Sequence, residues 1–124
     1  MARVNRFEDL DCWQAARELV KTVYLRSMKG PLSKDFDTRS QIRRAALGGM
    51  NNIAEGFARF TDKDFLKFLN YSQSSTSEVK SMLYVLEDLE YLEPEQIKEL
   101  HDQADKTLNL TLALIRYLNN KGNT

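Results

Sequence analysis

Residues Ile97, Leu100, Ala104, Leu108, Thr111, Ile115 and Leu118 recur at spacings of three and four, without interruption, from Pro94 to about Asn120. Only a long α-helix gathers such a set on one side, and one buried stripe on a long helix requires partner helices of similar length. No stretch of the chain shows strict apolar alternation, so strands are not expected. The chain has two prolines, and both sit at breaks. Pro31, after Gly30, ends a first helical pattern, and Pro94 opens the last one in the favoured first turn. The expectation is an all-α fold: one up-down-up-down antiparallel four-helix bundle spanning residues 1–124, with helices at about 8–29, 39–59, 62–91 and 94–120.

The stretch AALGGMNNIAEGFARF, Ala45 to Phe60, tests this expectation. Its glycines, just after Arg43-Arg44, resemble a phosphate-cradling loop. No strand precedes them, however, and the lysine and Ser/Thr of a P-loop are missing. At about 100° per residue, Ile42, Ala46, Gly49, Ile53, Phe57 and Phe60 share one face within about 80°. The stretch is therefore read as helix, although each interior glycine costs about 1 kcal/mol relative to alanine.

Tyr71 to Val79, YSQSSTSEV, looks like a linker, yet Phe65, Phe68, Ser72, Ser75, Thr76, Val79, Leu83 and Leu86 also share a face. Thr61 with Asp64, and Thr38 with Gln41, have the spacing of helix N-caps. A hairpin turning near Phe60–Thr61 sets Gly49 against Ser72 and Ala46 against Ser75. Small residues then meet small residues, and the close approach offsets the cost of the glycines. The first helix carries Trp13, Ala16, Val20, Val23 and Tyr24 on its stripe.

Two helices carry a second apolar face: Leu47, Met50 and Ala54 on one, and Leu110, Leu114 and Tyr117 on the other. Extra stripes of this kind are expected at contacts between subunits.

Composition excludes several function classes. With 42% hydrophobic and 29% charged residues, the chain is neither disordered nor membranous, and its longest apolar stretch, LNLTLALIRYL, is too short and polar to span a bilayer. The start, MARVNRFEDLD, has no apolar run of a signal peptide, and the single cysteine, Cys12, forms no intrachain disulfide, as suits the cytoplasm. His101 has no Cys or His partner at metal spacing, and no base accompanies Cys12. The carboxylate runs EDLE and EPEQIKE lack the Glu-x-x-His pairs of a di-iron bundle. Neither an enzyme nor a metal or cofactor site is expected, nor a small-molecule substrate.

Charge is distributed unevenly. Residues 1–68 carry 13 Lys+Arg against 9 Asp+Glu, a balance of +4, and residues 69–124 carry 5 against 9, a balance of −4. Arg43, Arg44, Arg59, Lys63 and Lys67 cluster around the central hairpin, either as an edge that contacts phosphates or as partners in subunit salt bridges. Glu55 and Arg59 have the i,i+4 spacing of a surface ion pair. No exposed aromatic residues for base stacking are expected.

The segments FEDLDCWQAARELV, QIRRAALGGMNNIAEGFAR, FLKFLNYSQSSTSEV and LEDLEYL resemble, in order and spacing, the four-helix bundle family encoded in 23S rRNA intervening sequences. Gln41, Arg43, Arg44, Asn52, Ile53, Ala54, Glu55, Gly56 and Arg59 match its motif. The chain departs from it at Gly48-Gly49-Met50, where the family usually has Ser-Ile-Pro, and at Ser74-Ser75, where it has Gly-Ser. The resemblance implies small cytoplasmic bacterial bundles that assemble into rings, typically homopentamers, associated with ribosomal RNA by gene location. Similar bundles are accessory proteins of diversity-generating retroelements and bind a reverse transcriptase and nucleic acid. Those accessory proteins are strongly basic, whereas this chain has zero net charge. Two readings stand: a homo-oligomeric scaffold that binds RNA or a nucleoprotein partner through a basic edge, and a protein-interaction ring without nucleic-acid affinity.

Overall fold

The computed structural model describes residues 4–121. It is all-α, with five helices and, among the described residues, no strand. A single 3-10 turn, Phe7–Asp9, leads into α1, Asp11–Ser27; α2 is short, Gly30–Lys34; the long helices α3, Phe36–Phe57, α4, Asp62–Asp88, and α5, Pro94–Lys121, follow.

Several boundaries differ from expectation for local reasons. Leu10 is buried in an extended conformation (φ −75°, ψ 126°), which separates the first turn from α1. Gly30 does more than end a pattern: it takes φ +69°, a conformation that costs glycine little, and starts the extra helix α2. Asp35, not Thr38, caps α3, its carboxylate accepting the Thr38 N–H at 3.1 Å. Thr61 caps α4 as expected, accepting the Asp64 N–H at 3.1 Å. Helix α4 stops at Asp88 because Glu90 adopts φ +56°. The Tyr91 N–H then bonds the Leu86 carbonyl at 2.9 Å and the Glu90 N–H bonds that of Glu87 at 3.0 Å. This is a Schellman cap with glutamate where glycine is favoured.

Each long helix packs against two others: α1 on α3 and α5, and α4 on α3 and α5. Along α3 and α4 the partners run in opposite directions, Gln41 donating to the Glu78 carboxylate, Gly49 meeting Ser72, and Gly56 meeting Phe65 and Phe68. The core has two apolar clusters. One includes Leu19, Val23, Ile42, Leu83, Leu86 and Leu100. The other includes Leu10, Cys12, Ile53, Leu69, Leu114 and Leu118. On α3, α4 and α5 small or hydroxyl residues lie between them, and Gly49, Ser72, Thr76, Thr107 and Thr111 form a buried waist.

The Ser-rich run is continuous helix inside α4, and α3 passes through its glycines unbroken. Ser75 sits over Gly48 rather than Ala46, because a Cβ built on Gly48 would lie 2.8 Å from its Oγ. The stripe of α1 is displaced by about one position: Cys12, Ala15, Ala16, Leu19 and Val23 are buried, whereas Trp13, Val20 and Tyr24 are half-buried. Phe60 lies beyond α3 and is fully exposed, so the α3 stripe ends at half-buried Phe57.

Candidate nucleic-acid interface

The α3–α4 turn follows from its residues. Helix α3 ends at Phe57, with Ala58 as its last capping residue, and the Thr61 hydroxyl starts α4 four residues after Phe57. Arg59 and Phe60 are therefore held outside both helices, at one end of the molecule. The first turns of α4 then present Lys63, Lys67, Phe68 and Tyr71 at the i,i+3 and i,i+4 spacings that put side chains side by side.

The Arg59 guanidinium lies over the Phe68 ring, 4.5 Å from its centroid. Phe68 meets Tyr71 edge-on at 5.7 Å, and the Lys67 ammonium stands 6.0 Å from the Tyr71 centroid. Cations over aromatic faces are attracted by the ring quadrupole. Arg59 makes this contact instead of the expected ion pair with Glu55. Beside the turn is a groove of about 430 Å³, lined by Phe57, Arg59, Phe60, Phe65 and Tyr117 among others. Asp62 and Lys121 form an ion pair on its edge at 3.4 Å.

Of the five expected basic residues, three gather here: Arg59, Lys63 and Lys67. Arg44 is exposed but belongs to the earlier turns of α3, about 20 Å along the helix from Arg59, where it donates to the Gln41 side chain at 3.3 Å. Arg43 is half-buried and its side chain turns toward α1. Its Nε donates to the buried Ser27 hydroxyl at 2.8 Å, and its guanidinium lies 4.5 Å from the Tyr24 centroid. It ties α3 to α1.

Among the expected interface residues, Leu114 is buried inside the single chain, in the second core cluster, and offers no face to another subunit. Met50 and Leu110 are half-buried against the same cluster. Leu47 and Ala54 are half-buried, and Tyr117 is exposed in the aromatic groove. The second apolar face of each helix is thus partly consumed by its second neighbour.

The exposed aromatic residues were missed from the sequence. Phe60, just before the Thr61 cap, and the Phe68–Tyr71 pair beside Lys67 are the signals that find them. Cys12 is buried with Thr111 as hydrogen-bond partner, and burial pushes its thiol up to about 11, so it remains a protonated thiol in neutral solution. His101 is half-buried, edge-on to Tyr84 at 5.0 Å. Among the described residues no cluster of His, Cys, Asp and Glu has the arrangement to hold a metal ion, and no helix is long and apolar enough to cross a membrane.

At the opposite end, a groove of about 720 Å³ follows the α4–α5 turn, lined by Glu87, Glu90, Glu93, Ile97, Lys98 and His101 among others. Exposed Tyr84 and Leu89 belong to the same end of α4. The two grooves differ in lining: Arg59 and aromatic rings beside Asp62 at one end, and Glu87, Glu90 and Glu93 with aliphatic side chains beside Lys98 at the other.

No curated protein matches the chain. In fold it is similar to a crystal structure of a protein of unknown function from the S23 ribosomal protein family of Bacteroides thetaiotaomicron, with a TM-score of 0.77 and 24% identity over 85% of this chain and 95% of that one. The family model described as 23S rRNA-intervening sequence protein matches residues 8–113, the segment that carries both the waist and the cation–aromatic turn, and the chain belongs to that family.

Proposed function

We propose that the four long helices form one antiparallel bundle and that the protein is a non-enzymatic, homo-oligomeric scaffold that binds RNA, or a nucleoprotein partner such as a reverse transcriptase complex, through the α3–α4 end. The observation that carries this reading is the gathering of Arg59, Lys63 and Lys67 at one end, none of them in an ion pair among the described residues. Cations held in this way remain available for phosphate, and their attraction does not depend on sequence. One protomer offers few contacts, so affinity arises from several copies engaging one RNA.

The test is a salt-titrated binding measurement with Lys63→Glu plus Lys67→Glu, and with the particle mass determined on the same variant. Weaker binding to every RNA, a shallower salt dependence and an unchanged mass are expected. A variant that changes mass instead assigns these residues to subunit contacts. An unmutated protein that binds no RNA at about 50 mM salt rejects the reading.

A second reading, a protein-interaction ring, is favoured by the opposite end. Leu25, Met28, Leu89 and Tyr84 are exposed there beside a carboxylate-lined groove. Apolar residues rimmed by charge mark a protein-binding surface. Capture of a protein partner that Leu89→Glu abolishes, with no RNA affinity, establishes this reading in place of the first.

A further inference from the structure

The α3–α4 end contains more than charge. Resting on the basic-edge reading above, we infer that it takes unpaired bases, so that its ligand is a single-stranded polynucleotide rather than a duplex. Tyr71 is 47% exposed, on the first half of a regular helix where a polar side chain would serve folding as well. Phe60 is fully exposed on a turn, although burying such a ring stabilises a protein by about 1.5–3 kcal/mol. Between them Arg59 and Phe68 are stacked, and Arg59 also lines the groove that Phe60 shares with Phe57 and Tyr117. Aromatic rings and a guanidinium plane thus run continuously from the groove to Tyr71, with Lys63 and Lys67 beside them.

This combination suits one ligand class. A duplex presents phosphates and sugars on its outside and hides its base faces, so exposed rings add little to its binding. A single strand presents both, and stacking accepts any base because every base has a π-face. The cations track the backbone while the rings take the bases. Of the carboxylates nearest in sequence, Asp62 pairs with Lys121 at 3.4 Å, and among the described residues neither Glu55 nor Asp64 forms an ion pair with Arg59, Lys63 or Lys67. The contacts that carry the site are cations and ring faces, which do not distinguish one base from another, so sequence preference is weak.

The test compares a labelled oligouridine with an RNA duplex carrying the same number of phosphates, at about 50 mM salt. The oligouridine is expected to bind more tightly, with a salt slope of about −2 per protomer for three neutralised phosphates. Tyr71→Ala and Phe60→Ala should each weaken it on the order of tenfold, with the salt slope unchanged. Tyr71→Phe should retain affinity. Both positions are exposed, so helicity and melting temperature are expected to hold, and measuring them verifies the fold. Equal affinity for the duplex, or full oligouridine affinity in the Phe60→Ala plus Tyr71→Ala variant, overturns the inference but leaves the electrostatic reading standing if Lys63→Glu plus Lys67→Glu still weakens binding. A change of particle mass in the aromatic variant makes the rings a contact between subunits and also overturns it. No binding of either RNA rejects both readings.

Discussion

The Ser72 hydroxyl donates a 2.6 Å hydrogen bond across the α3–α4 interface to the main-chain carbonyl of Gly49. A side chain reaches the backbone of a neighbouring helix in this way only where the two helices approach closely, and here a Cβ on Gly49 would lie 2.5 Å from the Thr76 Oγ1. The glycines of α3 and the serines and threonine of α4 are one device. Each makes sense only with the other in place.

Alanine substitution therefore inverts its usual effect. In an open helix Gly→Ala stabilises by about 1 kcal/mol. A Cβ at Gly56 would stand 2.7 Å from the Phe68 Cβ and 3.2 Å from the Phe65 carbonyl oxygen, neither of which is the free end of a flexible side chain. Gly56→Ala is expected to destabilise by about 1–3 kcal/mol, as overpacking does. Gly48→Ala should cost less, since its close contact is the hydroxyl of half-buried Ser75, which can rotate away. Denaturant unfolding of the two variants checks the order. Equal effects would count against a closer approach of α3 and α4 at Gly56 than at Gly48.

Leu114→Glu should unfold the chain rather than dissociate an assembly, because Leu114 packs with Leu10, Ile53 and Leu118 inside one protomer. The milder Leu114→Ala should cost about 2–5 kcal/mol. Tyr117→Glu, at an exposed position, should leave the helices intact. Circular dichroism and sedimentation on the three variants distinguish the roles.

Arg43→Ala should destabilise the protein by about 1–2 kcal/mol, through the lost hydrogen bond to Ser27 and the lost contact with Tyr24. Arg43→Lys should not restore it, since an ammonium has neither the Nε–H geometry nor the planar face. Neither variant should change the salt slope of RNA binding. A flattened slope would return Arg43 to the phosphate-contacting set.

A pH dependence follows from the junction that starts α3. The Asp35 carboxylate accepts the Thr38 N–H and the Tyr91 hydroxyl, the latter at 3.0 Å, tying the α4–α5 turn to the α3 cap. These donors, the Thr38 N–H foremost, hold the Asp35 carboxyl below its ordinary value, and the Asp35 acceptor holds the Tyr91 phenol above its own. The stabilisation from Asp35 is thus present above the ordinary carboxylate value of 3.8 and lost as pH falls through its lowered one. That from Tyr91 is present below the ordinary phenol value of 10.0 and lost as pH rises through its raised one. Tyr91→Phe should lower the melting temperature at neutral pH and flatten its decline on the alkaline side. An unchanged alkaline profile would exclude the contact.

Glu90 is the residue to replace for stability. It holds the left-handed position of the α4 cap, where glycine carries no Cβ penalty. Glu90→Gly should stabilise by about 0.5–1 kcal/mol, measured as a higher denaturation midpoint with an unchanged slope.

The sequence by itself determined the helices: their number apart from short α2, the Thr61 cap, the opening at Pro94, and the continuity of α3 and α4 through their glycines and serines. These follow from periodicity and from donors and acceptors within a few residues, which act along one helix. What lies across a helix was decided only by tertiary structure. Each long helix touches two neighbours, so a second apolar stripe such as Leu110–Leu114 turns partly into the core, and periodicity alone does not tell core from subunit contact. Arg43 and Arg44 are adjacent and chemically identical, yet Ser27 and Tyr24 on α1 draw one inward while the other faces solvent. Phe60 counts toward an apolar stripe until α3 ends three residues before it, and then nothing packs against it. Local sequence sets which way a side chain can point along its own helix, and the partner helix, brought near by residues distant in the chain, supplies the contact that decides where it goes.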